Sequence, residues 1–367
     1  MKKIIQLKLK ILAKLTIRKY KPKIIGITGT IGKTSTKEAV YTVLSSKFNV
    51  RRNIKNYNNE IGLPLTIIGE ESAGRNIFGW WAIFWRATLK LVIRDKDYPQ
   101  ILVLEMGIDR PRNMDYLLKI IKPTVGIVTG IDFTHVEFFR DLESLISEKS
   151  KLVENISEDG LVIFNIDDKH VFSMRRNVKA KMVTYGFDKI ADINADHVRF
   201  SFRGSQEDVN NLQGLSFKVT YQGATVPVLM PDCLGIGQIY AALAATAIGI
   251  KYNMNLVDIS QALRNFRSPT GRMRLLEGIK HTKIIDDTYN ASPLSTLAAL
   301  DTLAKIPLPA GKRRYAILGD MLELGSVSVK SHSGVGKKVQ ELGCDVLITV
   351  GERARDIARG AKEAGMN

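Results

Sequence analysis

The chain has 367 residues, and at about 150 residues per domain this length predicts two or three domains. Hydrophobic residues make up 45% and charged residues 25% of the chain, which excludes a mainly disordered protein and a multi-span membrane protein. The formal charge of +17 favours anionic partners such as phosphates, nucleotides, nucleic acid or an anionic membrane surface. The two cysteines predict neither a disulfide framework nor a zinc site, and they favour a reducing, cytoplasmic compartment.

Residues 1–22 form a basic and apolar segment in which lysines interrupt every apolar stretch, so no signal peptide is predicted. At helical spacing the apolar residues give a broad apolar side with lysines beside it. These apolar residues are Ile4, Ile5, Leu7, Leu9, Leu12 and Leu15. Two interpretations stay open: a helix that packs on the body of the protein, or an interfacial helix on an anionic membrane.

An α/β domain is predicted over residues 23–268. It opens with an apolar, β-branched strand at Lys23–Thr28, a glycine-rich turn, and a helix at Thr34–Ser46. Further strands and helices alternate after it, which predicts a mostly parallel sheet that is covered on both faces. The next predicted strands are Ile101–Glu105, Thr124–Thr129 and Gly160–Phe164, and the predicted helices between and after them are Asn113–Ile121 and Leu142–Asn155.

The segment Ile77–Ile93 contains all three tryptophans of the chain. Arg86 and Lys90 interrupt it, so a transmembrane helix is not predicted. A packed amphipathic helix and a helix at a membrane interface both stay open for this segment. Because residues 1–22 are also basic and apolar, the two segments together support peripheral membrane contact more strongly than either segment alone.

Short alternating runs between residues 184 and 228 predict an antiparallel patch on the same domain, and Ile239–Ile250 predicts a buried helix. Ser268–Gly271 predicts a linker, because proline and glycine interrupt regular structure there. A partial, Rossmann-like α/β domain is predicted over residues 269–367, which show no obvious closing strand. Its predicted strands are Lys283–Asp286, Tyr315–Leu318 and Val346–Val350, and its predicted helices are Ser295–Lys305, Val329–Glu341 and Arg353–Ala364.

The strongest local signal is the sequence GITGTIGKT at residues 26–34, which follows a strand and precedes a helix. Glycines in such a turn let backbone N–H groups close around a polyphosphate. Lys33 would reach the β- and γ-phosphates, and the Thr34 hydroxyl would bind Mg²⁺. Because Ile27 stands where the usual pattern has a glycine, the sequence predicts a variant of the P-loop, TGTxGKT.

Three further residues become candidates only in combination. Glu105 ends a predicted strand, and a carboxylate at the carboxyl end of a parallel strand faces the ligand crevice, so Glu105 is either a second Mg²⁺ ligand or a solvated acid. His135 follows the next strand, and Lys149 lies on the helix after that. Taken singly, these two are an ordinary loop histidine and an ordinary surface lysine.

Beyond the P-loop, four ordered motifs extend over most of the chain. They are NYNNEIGLPLT at residues 56–66, LEMG at 104–107, DDTYNASP at 286–293 and LGDMLELG at 318–325. Together with TGTIGKT they resemble the Mur ligases, the ATP-dependent amide-forming enzymes of cell-wall synthesis, and within them the sub-family that adds D-alanyl-D-alanine. The resemblance implies a central P-loop ATPase domain with a mostly parallel sheet and a partial Rossmann-like C-terminal domain.

The resemblance also implies a reaction, with ATP and Mg²⁺ as cofactors. The family joins UDP-N-acetylmuramoyl-tripeptide to D-alanyl-D-alanine. ATP phosphorylates the terminal carboxylate of the tripeptide, and the dipeptide amine then attacks the acyl phosphate. A carboxylate that attacks a triphosphate brings like charges together, so Mg²⁺ and lysine must screen them. The implied catalytic residues are Lys33, Asn58, His135 and Lys149.

Family positions imply further roles. Thr34 would hold one Mg²⁺, and Glu105 and His135 match the positions that hold the second. Lys149 aligns with a carbamylated lysine whose added carboxylate supports that metal, and Arg272 resembles an arginine that reaches the ATP phosphates from the hinge. The residues implied in nucleotide binding are Gly29, Thr30, Gly32, Lys33, Thr34, Ser35, Asn59, Arg272, Asp287, Tyr289 and Asn290.

The sequence departs from the family pattern in three places. Few residues precede the P-loop strand where the family has a domain that grips the UDP moiety, and the later strands of the third domain are lacking. Gly237 and Gln238 stand where a histidine and an asparagine are usual. Two alternatives stay open: an amide ligase of the superfamily with a folate, polyglutamate or lipid-linked acceptor, and a non-catalytic ATP-binding scaffold protein. His332 matches a family histidine without an assigned role, and the absence of a recognition motif argues against nucleic acid as a partner.

Overall fold

The computed structural model describes residues 2–54, 57–132, 139–204 and 208–367, and within them strands and helices alternate along the chain. The helices are α1 (Lys2–Tyr20), α2 (Lys33–Ser45), α3 (Gly62–Ile68), α4 (Ile77–Val92), α5 (Asn113–Leu118), α6 (Leu142–Glu154), α7 (Lys169–Ser173), α8 (Ile236–Lys251), α9 (Leu256–Leu263), α10 (Pro293–Lys305), α11 (Ser328–Glu341) and α12 (Arg355–Glu363). The strands are β1 (Lys23–Thr28), β2 (Val50–Arg52), β3 (Ile101–Glu105), β4 (Val125–Val128), β5 (Leu161–Asn165), β6 (Lys181–Gly186), β7 (Ile193–Phe202), β8 (Leu212–Tyr221), β9 (Ala224–Pro231), β10 (Arg274–Glu277), β11 (Lys283–Asp286), β12 (Tyr315–Gly319) and β13 (Val346–Val350).

The first part of the chain builds a nine-stranded sheet with the order β2-β3-β1-β4-β5-β6-β7-β8-β9. Strands β2 to β7 pair in parallel, and β7, β8 and β9 form an antiparallel meander at one end. The predicted mostly parallel sheet is therefore confirmed. Strand β1 lies between β3 and β4, which both follow it in the chain, and ligands bind outside the carboxyl ends of strands at such a reversal.

Two hydrophobic cores cover the two faces of this sheet. Ile25 and Ile27 of β1 pack in one core with helices α2 and α8, whereas Ile24 packs in the other with α1, α5 and α6. Successive side chains of a strand point to opposite faces, and a parallel sheet buries both of them. This explains why β1 reads as a continuous apolar run in the sequence. Both cores hold the carboxyl end of β1 in place.

Helices α1 and α4 pack against each other, and α1 also packs against α3. Each helix buries one face in these contacts. The interpretation as a packed helix is therefore confirmed for that face of α1 and of α4. The buried side chains are Leu9, Ala13 and Thr16 of α1, and Trp80, Ile83 and Ala87 of α4. Neither these helices nor any other in the described part of the chain is long and apolar enough to cross a membrane.

The C-terminal part of the chain contains a β10–β11 antiparallel pair and a β12–β13 parallel pair. Helices α10, α11 and α12 pack on β12 and β13 around a small core that includes Ala316, Val335 and Ile357. Ser292 caps α10, and its hydroxyl donates to the Asp132 carboxylate at 3.2 Å. This bond joins the C-terminal part to the loop that follows β4. The domain boundaries at residues 22 and 268 stay a prediction.

Candidate active site

The glycine-rich turn between β1 and α2 is held open by two backbone conformations that favour glycine. Gly29 has φ +146° and Gly32 has φ +80°. The Thr129 hydroxyl at the end of β4 donates to the Ile31 carbonyl at 2.5 Å, and the Thr30 N–H donates to the Gly130 carbonyl at 2.6 Å. The neighbouring strand therefore fixes the turn. Helix α2 begins at the end of the turn, and the first N–H groups of a helix have no partner within the helix and can bind anions.

We expect Gly29→Ala to destabilise the protein by about 3 kcal/mol, because a methyl group there combines backbone strain with a steric clash. A Cβ at this position would lie 2.2 Å from Thr129 Oγ1. Urea unfolding measures the change. The matched control is Gly223→Ala, since Gly223 has φ +80° but a Cβ there would meet nothing within 4 Å. If Gly223→Ala loses as much stability as Gly29→Ala, the loss in Gly29→Ala does not come from the steric clash.

Lys33 is the first residue of α2, and its ammonium donates to the Thr30 carbonyl at 2.8 Å. Burial lowers the pKa of Lys33, the charge of Arg272 lowers it further, and Glu105 and Asp109 raise it. The ammonium is thus within electrostatic reach of one arginine and two carboxylates. A cation in this position, at the start of a helix and beside a glycine-rich turn, has the surroundings of a phosphate-binding lysine.

Glu105 is buried at the end of β3 and is held at both its backbone and its side chain. The Asn53 amide accepts from the Glu105 N–H at 2.9 Å and donates to its carbonyl at 3.0 Å. Asn58 Nδ2 donates to Glu105 Oε1 at 3.1 Å, and Lys37 Nζ lies 3.6 Å from Oε2. Sequence reasoning missed Asn53 and Lys37. Lys37 follows Lys33 by one helical turn, which places both on one face of α2.

Asn59 has a structural role in addition to the predicted one. Its side-chain oxygen accepts from the N–H groups of Ile61 and Gly62 at 3.1 and 3.0 Å, which stabilises the turn into α3. An amide oxygen has two lone pairs, and both are used here. A ligand would therefore meet the amide N–H groups of Asn59 and not its oxygen.

Lys149 lies on α6 and is buried, and its Nζ donates to the Gly29 carbonyl at 2.9 Å. Burial lowers the pKa of Lys149 well below its usual value, and the charge of Lys33 lowers it further. Glu148 beside it is paired with Lys151 at 2.8 Å. The lowered pKa increases the neutral fraction of the Lys149 amine, which is the form that acts as a nucleophile.

Arg272 approaches the same region from the C-terminal part of the chain. Its guanidinium carbon lies 4.1 Å from the centre of the Tyr289 ring, and its carbonyl accepts from Gln238 Nε2 at 2.9 Å. Arg272 Nε is buried and has no hydrogen-bond partner among the residues that the structure describes. Asp287 accepts from the Met273 N–H at 3.1 Å, and burial raises the pKa of Asp287. An anionic ligand would satisfy the unpaired Arg272 N–H.

A cavity of about 1280 Å³ brings most of the predicted residues together. It is lined by the turn, the end of β3 and the segment after β11. The predicted residues in its lining are Thr30, Gly32, Lys33, Thr34, Ser35, Asn58, Asn59, Glu105, Arg272, Asp287, Tyr289 and Asn290. Gly29 and Lys149 are not in this lining but contact each other next to Lys33. His135 lies outside the described residues, so its predicted role is not tested.

Sequence reasoning missed a second group of residues that line the same cavity. Asn165 is the last residue of β5, and Asp167 and Asp168 follow it; Asp167 accepts from the Tyr240 hydroxyl at 2.9 Å. The Tyr185 hydroxyl is buried and has no hydrogen-bond partner in the described part of the chain. The rule that singled out Glu105, a polar residue at the carboxyl end of a parallel strand, would also have found Asn165.

His332 belongs to the packing of the C-terminal part. It is buried, its Nε2 accepts from the Met321 N–H at 3.0 Å, and its Nδ1 donates to the Ser328 carbonyl at 2.8 Å. The first bond joins α11 to the loop after β12, and the second lies within α11 and fixes the orientation of the ring. The histidine that the sequence left without a role is therefore a structural residue here.

The oxygen donors of the site fit a magnesium ion that is bound together with a phosphate ligand. Thr34 and Glu105 line the same cavity and offer a hydroxyl and a carboxylate. Mg²⁺ prefers such oxygen ligands, and it keeps several waters and takes the rest of its ligands from phosphates. Within residues 2–54, 57–132, 139–204 and 208–367, no group of three histidine, cysteine, aspartate or glutamate side chains could hold a metal ion by itself.

Two family models match this chain. The Mur ligase middle domain matches residues 27–78 and 86–249, and the Mur ligase glutamate ligase domain matches residues 271–367. The first range contains the glycine-rich turn and Glu105, and the second contains Arg272 and Tyr289. The two groups of residues that meet at the cavity thus come from the two matched domains.

Among curated proteins, the chain is similar to UDP-N-acetylmuramoyl-tripeptide--D-alanyl-D-alanine ligases. It is 27% identical to that of Bacillus subtilis, with 95% of this chain and 67% of the relative covered. It is 26% identical to that of Buchnera aphidicola, with 93% of this chain and 65% of the relative covered. It is 31% identical to that of Mycobacterium leprae, with 89% of this chain and 61% of the relative covered. The chain spans about two thirds of the length of the curated relatives it matches.

Among solved structures, the chain is similar to MurF from Acinetobacter baumannii. The TM-score is 0.78 at 24% identity, and 97% of this chain and 70% of that chain are covered. MurF from Thermotoga maritima in complex with ADP gives a TM-score of 0.74 at 24% identity, with 96% and 72% covered. At this level of identity the likeness establishes the fold. It confirms the predicted α/β architecture with a large, mostly parallel sheet.

Proposed function

Because the chain belongs to the Mur ligase family, as its motifs predict, we propose that it is an ATP-dependent, ADP-forming ligase. We propose that it adds D-alanyl-D-alanine to UDP-N-acetylmuramoyl-tripeptide, which is the activity in the names of its curated relatives. The observation that carries this proposal is the meeting of Lys33 and Glu105 with Arg272 and Tyr289 at one cavity. We propose that these groups, which come from both matched domains, bind the phosphates of ATP there.

The proposed reaction has two steps. A carboxylate oxygen of the tripeptide attacks the γ-phosphorus of ATP, the bond to the β-phosphate oxygen breaks, and ADP leaves. The dipeptide amine then attacks the acyl carbon, loses a proton, and inorganic phosphate leaves. Lys33 and Arg272 lower the repulsion between the carboxylate and the triphosphate, because both place positive charge beside the transferring phosphate. Asn58 orients the Glu105 carboxylate, to which it donates at 3.1 Å.

We propose Mg²⁺ as the second cofactor, held by Thr34 and Glu105 together with phosphate oxygens. When bound, this ion would neutralise charge on the phosphates. The predicted contribution of His135 stays a prediction. Lys37, at 3.6 Å from Glu105 Oε2, balances the buried carboxylate in the absence of a ligand. Carbamylation of Lys149 is also a proposal, supported by its burial, its lowered pKa and its proximity to Lys33.

Mass spectrometry of a reaction mixture tests the proposed function. The mixture contains this chain, Mg-ATP, UDP-N-acetylmuramoyl-tripeptide and D-alanyl-D-alanine, and the control omits the dipeptide. We expect a product enlarged by D-alanyl-D-alanine, together with one ADP per product. ADP formation without this product would favour another acceptor, such as a folate, a polyglutamate or a lipid-linked peptide. ATP binding without ADP formation would favour a non-catalytic scaffold protein.

We also propose a cytoplasmic location with peripheral contact to the inner face of the membrane. Both cysteines are free and buried, which suits a reducing compartment. Membrane contact is supported by large apolar side chains that α1 and α4 expose to solvent, among them Leu7, Trp81 and Trp85. ATP and Mg²⁺ need no such surface, so it points to a separate partner.

A further inference from the structure

Helix α1 carries apolar side chains on two opposite faces. Its packed face is buried, whereas a second stripe faces solvent at intervals of three and four residues, which place side chains on one helix face. The exposed stripe consists of Ile4, Leu7, Ile11 and Leu15. An ordinary surface helix has one apolar stripe, directed at the core, and polar residues opposite. The packing of this chain therefore does not account for the second stripe.

Helix α4 repeats this arrangement with larger side chains. Phe78, Trp81 and Trp85 keep 86%, 70% and 67% of their surface exposed, although aromatic side chains of this size are usually buried. Leu89 and Val92 continue the stripe at helical spacing. Trp80 on the opposite face is buried. The third tryptophan thus packs in the core while the other two point outward.

The two stripes share one surface, which we call the two-helix surface (Ile4, Leu7, Ile11 and Leu15 of α1 with Phe78, Trp81, Trp85, Leu89 and Val92 of α4). Lys8, beside the α1 stripe, has its Nζ 5.9 Å from the centre of the Trp81 ring. Near the other end, Lys19 Nζ and the Tyr20 hydroxyl donate to the Lys90 carbonyl at 3.0 and 2.6 Å. These contacts hold the helices side by side and parallel.

Positive charge flanks the apolar side chains. Helix α1 has no acidic residue, and the first one in the chain is Glu38. The basic residues of α1 are Lys2, Lys3, Lys8, Lys10, Lys14, Arg18 and Lys19. A helix that lies in a membrane interface combines such a basic rim with apolar and aromatic side chains that enter the headgroup region. Tryptophan is enriched at that depth, because its ring is apolar and its N–H is polar.

The exposed tryptophans lie outside the part of the chain that the Mur ligase models describe. The middle-domain match omits residues 79–85, which include Trp81 and Trp85, and it begins at residue 27, after α1. None of the two-helix surface residues lines the active-site cavity. The surface is therefore separate from the groups that would bind ATP.

We propose that the two-helix surface docks the protein on an anionic lipid bilayer. The apolar stripes enter the boundary between headgroups and acyl chains, and the flanking lysines contact lipid phosphates. The basic residues of α1 favour this partner, because clustered lysines beside exposed apolar and aromatic side chains are typical of a helix that binds anionic lipid. The inference rests on the proposed membrane contact and not on the ligase chemistry.

Vesicle co-sedimentation of the full chain tests this proposal. We expect binding to vesicles of two parts phosphatidylcholine and one part phosphatidylglycerol, and at least about 100-fold weaker binding to phosphatidylcholine alone, because all the basic residues of α1 then lose their anionic partners. Tryptophan fluorescence should shift to shorter wavelength on binding, as Trp81 and Trp85 leave water. High salt should weaken the binding, because it screens the lysines from the phosphates. Absence of binding to the anionic vesicles at low salt overturns the proposal.

Paired variants locate the contact. Trp81→Ser with Trp85→Ser should weaken binding by about tenfold for each ring, since each loses buried apolar area. Lys8→Gln with Lys14→Gln should weaken it about 30-fold. The matched controls are Ile190→Ser, an exposed apolar residue elsewhere, and Lys181→Gln with Lys189→Gln, which remove the same charge elsewhere. Equal losses in the controls and the surface variants would overturn the assignment.

Two further measurements separate this inference from its rivals. ATP turnover of the surface variants should equal that of the unchanged chain, so loss of vesicle binding with intact turnover leaves the ligase proposal untouched. Vesicle binding with no turnover would count against the ligase alone. Light scattering reports self-association: a dimer that Trp81→Ser with Trp85→Ser converts to a monomer would make the surface a contact between copies and overturn the proposal.

Discussion

We expect Lys33→Ala to reduce ATP turnover by a factor of about 10³, because it removes the cation that would face the transferring phosphate. Lys33 lies at the start of α2, and in the absence of a ligand its ammonium donates to the Thr30 carbonyl of the same turn. That bond is local, so its loss should leave the fold intact. ADP release measures turnover, and thermal unfolding reports whether the variant is folded.

Lys47→Ala is the matched control for Lys33. Lys47 closely follows the end of α2, is exposed, and pairs with Asp258 on the surface. Its removal takes away the same charge far from the cavity, and an exposed ion pair contributes little stability. If Lys33→Ala and Lys47→Ala both retain normal ATP turnover, the assignment of Lys33 to phosphate binding is contradicted.

Replacing Lys149 is expected to reduce ligase activity about 100-fold, a typical loss when support of a metal site is removed. In the proposed carbamate, the neutral Lys149 amine attacks CO₂, a C–N bond forms, and one proton is released. Burial lowers the pKa of Lys149, so the neutral amine is available nearer to neutral pH than in water. Lower pH protonates the amine, so the ligase activity should decrease as the pH is lowered. It should increase when bicarbonate is added.

Two substitutions separate the chemistry from the packing. Lys149→Ala should regain part of its activity with acetate or formate, which can occupy the place of the missing carboxylate. Lys149→Met keeps the volume of the buried side chain and should stay folded and inactive. Lys151→Ala is the neighbouring control, since Lys151 pairs with Asp115 and Glu148 and is not among the residues that line the cavity. If the ligase activity does not depend on bicarbonate and the short carboxylates do not rescue Lys149→Ala, the carbamate is contradicted. Lys149 would then act only as the donor to the Gly29 carbonyl.

The long, buried elements could be predicted from the sequence, and the short ones could not. Lys23–Thr28 and Ile101–Glu105 have the predicted bounds, because a strand buried on both faces is a continuous apolar run. Val50–Arg52 and Arg274–Glu277 were missed. Both are only three or four residues long and contain two charged residues each, so they show neither alternation nor a long apolar run.

The site divides in the same way. The sequence alone identified the turn with Lys33, because the glycines and the lysine of a phosphate-binding turn lie within a few residues of one another and act locally. Asn53 and Lys37 were missed, since their role comes from contact with Glu105, which is far from them in the chain. Lys149 was identified only through the family resemblance. Its burial beside Gly29 could not be predicted, because the two residues are far apart in the chain.

The sequence by itself therefore determined the α/β class, the family and the phosphate-binding turn, because each of these depends on patterns within short segments of the chain. Only the tertiary structure decided which groups balance Glu105, what lowers the pKa of Lys149, and that Asn165 and Asp167 line the same cavity. It also decided which faces of α1 and α4 stay exposed. The reason is physical: helical periodicity shows that a residue is on an apolar face, but packing between distant segments decides whether that face is covered.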